Sequence, residues 1–208
     1  MLQKLYDKYV CPHLINYAMQ MKPFRKQREK VIPSASGRVL EIGIGSGLNF
    51  NYYNKENVSE VFAVEPDSIL LEKAQQNAKI NNINLNVQQL KAEELPFDNN
   101  SFDTIISTYT MCSIPGLSSA MSEINRVVKP NGKLLFSEHG KSPDMNVFKW
   151  QKRMNGIQKR IAGGCHLDVD IPNEIIKANF KLNKIDSMYV PGPKFLSYHY
   201  WGVASPLK

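Results

Sequence analysis

The feature that most constrains this chain is a short apolar run closed by three glycines: Arg38-Val39-Leu40-Glu41-Ile42, followed by Gly43, Gly45 and Gly47. A run so short and so apolar reads as a strand buried on both faces, the pattern of parallel sheets covered by helices. Glycine lacks Cβ, so the chain can turn sharply there and let backbone N–H groups approach a ligand. That turn is expected to open a helix. The same rhythm continues, with Glu60–Val64 as a second strand stopped by Pro66, then a helix over Ser68–Lys79. Leu85–Leu90 and Phe102–Ser107 read as the third and fourth strands. Leu117–Val128 is helical, Lys129-Pro130-Asn131-Gly132 is a turn-rich stop, and Lys133–Ser137 is the fifth strand. Residues 145–162 and 173–179 read as helices. Phe180–Tyr189 and Phe195–Ala204 are β-rich with no helix between them, so they pair antiparallel. The fold class is α/β: a doubly wound, mostly parallel seven-stranded sheet ending in a β-hairpin.

At the carboxyl end of a first parallel strand, a glycine turn describes a nucleotide site. Glu65 ends the second strand 18 residues after Gly47, where a carboxylate can accept hydrogen bonds from ribose hydroxyls. Position 48 is Leu, so the spacing is GxGxG rather than the dinucleotide GxGxxG. Glu41 suits a pyrophosphate poorly and a cationic ligand well, such as an amino-acid ammonium group beside a sulfonium. No GxxxxGK[ST] run occurs, which excludes a P-loop.

Composition sets the outer bounds. The 208 residues carry a formal charge of +7, with 42% hydrophobic and 22% charged residues, an ordinary globular balance. One domain is expected over 1–208: an amphipathic helical extension over 1–32 and the α/β core over 33–208. Residues 1–30 hold seven basic against two acidic side chains, and residues 141–160 six against one, leaving the remainder mildly acidic. Such basic segments are either solvated helix faces or a cationic surface for an acidic substrate or an anionic membrane. Leu2, Leu5, Tyr6, Tyr9, Val10, Leu14, Tyr17 and Met21 recur at helical spacing, divided near Pro12. That stripe is expected to pack on the main body; a lid, or an amphipathic foot on a bilayer through residues 1–30, is the alternative. No apolar run reaches the ~18 residues of a spanning helix. Three widely spaced cysteines, Cys11, Cys112 and Cys165, form no CxxC pair and no metal-ligand spacing. The expected setting is reduced and cytoplasmic, at most peripheral at the inner membrane surface, with no metal.

Together these segments resemble a known family. Val39–Gly47 is similar to motif I of the class I S-adenosylmethionine-dependent methyltransferases, and Val64-Glu65-Pro66 to their acidic second-strand end. Ala92-Glu93-Glu94-Leu95-Pro96-Phe97 with Ser101-Phe102-Asp103 resembles the adenine segment of the ubiquinone/menaquinone-type (type 11) branch, and Arg126–Gly132 the run into its fifth strand. Thr108–Ile114, Ser137-Glu138-His139, Gly163-Gly164-Cys165-His166 and Tyr198–Gly202 look like a subgroup of bacterial relatives of mammalian alkyl-thiol methyltransferases. The resemblance implies a Rossmann-like core and S-adenosylmethionine as cofactor. Gly43, Gly45 and Gly47 would shape the methionine pocket beside Glu41, Glu65 with Pro66 would hold the ribose, Ala92 and Glu93 would lie against adenine, and Thr108 would sit near the methionine. The family usually has Asp just before the Ala-Glu pair; Lys91 stands here, and a cation cannot accept the adenine amino hydrogen bond.

Methyl transfer from a sulfonium is an in-line displacement, in which alignment and desolvation do most of the work. A base is needed only if the acceptor arrives protonated. His139 and His166 are the candidates, though either is equally a hydrogen-bonded or exposed side chain. Tyr109, Met111 and Glu138 are candidate substrate-pocket residues. Three readings stay open: a methyltransferase for a small lipophilic acceptor, foremost a thiol; one for a lipid head group or quinone at a membrane; and a non-enzymatic cofactor-binding module. A nucleic-acid partner is not expected, because the Asn/Asp-Pro-Pro-Tyr/Phe tetrad is absent after the fourth strand.

Overall fold

Strands β1 (Gly37–Ile42), β2 (Val58–Val64), β3 (Leu85–Gln88) and β4 (Phe102–Thr108) lie parallel in the computed structural model, which describes residues 2–208. β5 (Val128–His139) runs parallel to β4, whereas β7 (Tyr198–Pro206) pairs antiparallel with both β5 and β6 (Phe180–Tyr189). The sheet order is β3-β2-β1-β4-β5-β7-β6. Seven strands, the parallel run and the closing antiparallel hairpin match the pattern legible in the sequence.

Successive residues on a strand face opposite sides, so each apolar strand feeds two cores. On one side Leu40, Ile105, Leu134 and Phe136 pack with Met121 and Ile124 of α5 (Leu117–Val127) and with Ile171 and Ile175 of α7 (Ile171–Lys177). On the other, Val39, Ile106 and Leu135 pack with Ala74 and Ala78 of α4 (Ser68–Ile80) and with Val31 at the end of α3 (Lys22–Val31). Asp67 caps α4 by accepting from the N–H groups of Ile69 and Leu70. Asp144 caps the basic α6 (Met145–Ile161) in the same way.

Four expectations are corrected. The glycine turn leads into a single 3-10 turn, Phe50–Tyr52, not an α-helix. Asn49, Asn51 and Asn54 are poor helix formers, and the Asn49 and Tyr53 side chains are drawn inward to Glu41. The stop at Lys129–Gly132 becomes part of β5, as an irregularity between the Phe102–Val128 and Thr104–Lys133 pairs. The last strand starts at Tyr198, because Lys194–Leu196 forms a 3-10 turn.

The fourth correction concerns the amino terminus. α1 (Leu2–Tyr9) and α2 (Cys11–Met19) divide near Pro12 as expected, and α3 follows. Yet the apolar stripe does not pack on the body: Leu2 is 83% exposed and Tyr17 71%, with Leu5, Tyr9, Val10, Leu14 and Met21 also exposed. Cys11 and Pro12 are buried instead. No helix among the described residues is long and apolar enough to cross a membrane.

Candidate active site

A cavity of about 400 Å³ opens at the carboxyl ends of β1, β2 and β4, the place where open α/β sheets bind ligands, and of a size usual for small-molecule sites. Its floor is sheet-derived: Gly43 and Gly45 after β1, Glu65 and Pro66 after β2, Ala92 and Glu93 beyond β3, Thr108 and Tyr109 at the end of β4. Its roof is Cys11, Pro12, Ile15, Asn16 and Met19 of α2 with Arg28 of α3. Ser46 donates to Asn16 Oδ1, which ties the glycine turn to that roof.

Gly43, Gly45 and Gly47 all have positive φ, the left-handed region that side chains disfavour. A Cβ on Gly43 would run into the Thr110 side chain, and one on Gly47 into the Phe50 ring. A Cβ on Gly45 would meet nothing within 4 Å. Gly43 and Gly45 are thus on the wall, while Gly47 makes room for the core. Glu65 is buried, with Oε2 accepting from Gly45 N (2.8 Å) and Oε1 from Asp67 N (3.0 Å). Burial raises its pKa, and the two N–H donors pull it back. A carboxylate has about four acceptor positions, so two remain for hydroxyl donors. Glu93 Oε1 accepts from Gly116 N, and Lys91 lies beside it on the wall.

Glu41, Met111 and Glu138 do not reach the cavity. Glu41 is buried behind it, with its oxygens accepting from Asn49 Nδ2 and Tyr53 O–H, both at 2.7 Å. Burial raises its pKa to about 7 against those hydrogen bonds. Its role is to aim Asn49, which does line the cavity and also donates to Thr108 Oγ1. Met111 is core. Glu138 Oε1 gathers Ser107 O–H and the N–H groups of Thr110 and Met111, which fixes the turn after β4. Neither histidine lies on the wall. His166 is anchored by its backbone to Cys112 O, and burial with nearby Lys159 lowers its pKa. His139, at the end of β5, has Nε2 3.0 Å from Cys165 Sγ, which is 3.4 Å from Cys112 Sγ. The cysteines are distant along the chain, but the fold gathers two of them.

Two features escaped the sequence. Arg28 is 4% exposed, donates to Met19 O and makes no ion pair among the described residues. Burial lowers its pKa, with Glu41 behind the cavity partly opposing, but a guanidinium remains protonated, so the cavity holds a positive charge with no direct ion-pair partner. No motif marks it within a stretch rich in Lys and Arg. The second is the clamp on Tyr109, which sits at φ 58° just past β4, a conformation costing a bulky residue about 1–3 kcal/mol. Phe24 packs edge-on to its ring at 5.1 Å, Arg28 lies over it, and its hydroxyl meets His199 Nδ1 at 3.2 Å. His199 is fully buried and pushed down to about 3, chiefly by desolvation, so it is neutral. Only the pairing of β5 with β7 delivers it there.

Residues 40–136 match the family described as a methyltransferase domain. Thiol S-methyltransferase TMT1B of Rattus norvegicus is 30% identical over 147 residues, covering 68% of this chain and 59% of that protein. Ubiquinone/menaquinone biosynthesis C-methyltransferase UbiE of Rickettsia prowazekii (strain Madrid E) is 31% identical, covering 65% and 57%. The chain therefore spans less than two thirds of the length of either relative. The structure of geranyl diphosphate C-methyltransferase from Streptomyces coelicolor A3(2), with S-adenosyl-L-homocysteine bound, superposes with a TM-score of 0.69 at 14% identity, covering 88% of this chain and 79% of that one. The family's cofactor is S-adenosylmethionine, and the residues present fit it. Two side-chain-free glycines clear the strand ends, Glu65 keeps acceptor positions free, and the buried Arg28 makes no ion pair among the described residues. By its matched domain, its relatives and its sheet order, the chain belongs to the class I S-adenosylmethionine-dependent methyltransferases.

Proposed function

We propose that this chain transfers a methyl group to the sulfur of a small lipophilic thiol. The cofactor supplies an electrophilic methyl on a sulfonium whose departure as a thioether needs no acid. Arg28 pairs with the cofactor's carboxylate, and Glu65 accepts from its ribose hydroxyls. Ala92 and Glu93 flank the adenine, with backbone groups replacing the acceptor that Lys91 cannot provide. Thr108 and Tyr109 border the reacting end.

The observation that carries the thiol assignment is the composition of the cavity lining. Cys11, Ile15, Met19, Tyr109 and Ile114 are among the residues that line the cavity, and no histidine lines it among the described residues. A thiol of pKa about 8.5 is a few per cent ionised at neutral pH and highly nucleophilic as thiolate, so it reacts without a dedicated base. A protonated amine of pKa about 10 would need one. The thiol S-methyltransferase relatives support the same choice. The test is S-adenosylhomocysteine release from purified protein with an alkyl thiol, with phosphatidylethanolamine vesicles, and with neither. Product with the thiol is expected; bound cofactor and no thiol product between pH 7 and 9 would overturn the assignment. Glu65→Ala should weaken cofactor binding by about 1–3 kcal/mol, the cost of unpaired ribose hydroxyls. Unchanged calorimetric affinity would remove Glu65 from the ribose site.

A membrane-borne acceptor, such as a lipid head group, is the second reading. It is favoured by the exposed apolar residues of α1 and α2. Hydrogen bonds from Gln3 and Tyr6 to Arg160 O and Ile161 O also bring the two basic segments side by side. An apolar strip flanked by cations suits an anionic bilayer surface. Product with vesicles alone would favour this reading over the thiol.

A further inference from the structure

Cys112, His139 and Cys165 are 27 and 26 residues apart along the chain, and nothing in their spacing joins them. The fold does. Cys112 sits in the 3-10 turn after β4, His139 is the last residue of β5, and Cys165 lies in the turn after α6. The two Sγ atoms and a ring nitrogen of His139 all lie within 4.8 Å of one another, and no other group of three or more such side chains gathers among the described residues. We propose that these three side chains form a binding site for a single thiophilic divalent cation of the zinc class.

The donor set argues for that class. Two cysteine sulfurs and one imidazole nitrogen are soft to borderline ligands, the choice of zinc rather than of magnesium or calcium, which take oxygen. Zinc–sulfur bonds of about 2.3 Å and zinc–nitrogen bonds of about 2.0 Å put tetrahedral ligands somewhat further apart than the observed Sγ–Sγ distance of 3.4 Å and Sγ–Nε2 distance of 3.0 Å. Small side-chain rotations suffice to admit the ion. Nε2 is the ring nitrogen that faces the sulfurs, so ligation would go through it and leave the proton on Nδ1. Three protein ligands leave a fourth position, as in sites that keep a water or an exogenous group. Ser113 Oγ, 3.5 Å from Cys112 Sγ, is the neighbouring oxygen.

The backbone holding the set is built independently of any ion. His166 N donates to Cys112 O at 2.8 Å, which pins the turn after α6 to the turn after β4. Gly163 and Gly164 both have positive φ, so the chain reverses tightly enough to point Cys165 inward. Asn155 closes the loop from beyond, donating to Asp168 and accepting from Leu167 N. The site abuts the acceptor end of the cavity, whose wall includes Ser113 and Gly163. A bound ion would therefore add a cross-link among three segments that backbone hydrogen bonds already bring together. The assignment is independent of which acceptor the enzyme methylates.

The experiment uses the full chain, reduced and chelator-treated, then titrated with Zn2+ and separately with Co2+. One Zn2+ per chain by native mass spectrometry is expected, with a raised melting temperature. The cobalt form should show intense sulfur-to-metal charge-transfer absorption. Cys112→Ser, Cys165→Ser and His139→Gln should each lose the stoichiometric ion and the thermal shift, while Cys11→Ser keeps both. Should a serine variant fail to fold, the wild-type cobalt spectrum still decides, because a nitrogen or oxygen surface site gives no sulfur charge-transfer band. No stoichiometric binding by the reduced protein would overturn the proposal. So would binding unchanged in both serine variants, or a Cys112–Cys165 disulfide forming in place of any metal uptake.

Discussion

The floor and roof of the cavity are built from parts that differ in how far they lie from their partners. The floor is a set of strand ends, each placed by pairing with its neighbour: Ile42 opposite Val64 and Ser107, then Gly43, Glu65 and Thr108 just beyond. Its chemistry is local, carried by glycines that must turn and a carboxylate at a fixed step past a strand. The roof is α2 and the end of α3, packed over residues dozens of positions later. It supplies a buried charge, Arg28, that makes no ion pair among the described residues, and an inner face opposed to an exposed outer one. Rigid strand ends suit a cofactor whose shape does not change between reactions. A separate helical cover suits an acceptor that must enter and leave.

Removing the roof's charge should hurt the floor's ligand most. Arg28→Met is expected to weaken S-adenosylmethionine binding by about 2–3 kcal/mol, the range for a charge-assisted hydrogen bond left unmade, or roughly 30- to 150-fold in Kd. An unchanged calorimetric Kd would separate roof from cofactor and turn Arg28 towards the acceptor.

Within the floor, two glycines should diverge. Gly43→Ala sets a Cβ against Thr110 at positive φ and should lower stability by about 2 kcal/mol, read as a shift of the denaturation midpoint. Gly45→Ala meets no protein atom, so its loss should be about 1 kcal/mol of backbone strain, with the larger effect on cofactor affinity. Equal stability losses would mean that open space at Gly45 is not the cofactor's.

A smaller effect lies behind the floor. Burial raises the folded pKa of Glu41 to about 7, above its unfolded value near 4.3. The folded state then binds more protons in that window, so this contribution is full below about pH 4 and lost as pH rises through 7. Glu41→Gln, neutral throughout, should flatten the fall in melting temperature between pH 5 and 8. The same slope in variant and wild type would assign it elsewhere, Glu138 being next because burial raises it to about 7 as well.

The smallest effect is expected on the roof's outer face. Leu14→Glu should leave turnover of a soluble thiol within about twofold, since exposed substitutions change stability little, while weakening binding to anionic vesicles in co-sedimentation. A large loss of thiol turnover would show that the outer face touches the acceptor after all.

Much of the fold was legible because its signals are short-range. Apolar runs such as Val61–Val64 and Ile105–Ile106 need both faces buried, Pro66 ends the second strand, and the missing crossover before β7 forces an antiparallel end. The helix expected after Gly47 was wrong because Asn49 and Tyr53 find better partners in Glu41 than a helix would offer. The stripe through Leu5, Leu14 and Tyr17 was read with the right period and the wrong direction. Periodicity says that one face is apolar, not what that face meets.

The site divides along the same line. Sequence alone determined the sheet, the glycine turn and the carboxylate past the second strand, because strand burial, positive φ and strand-end geometry are properties of neighbouring residues. Tertiary structure alone decided that Arg28 enters the cavity without an ion-pair partner, that His199 supports Tyr109, and that Cys112, His139 and Cys165 converge away from the cavity wall. Each of those depends on packing between segments far apart in sequence, and no local spacing records which distant surfaces will meet.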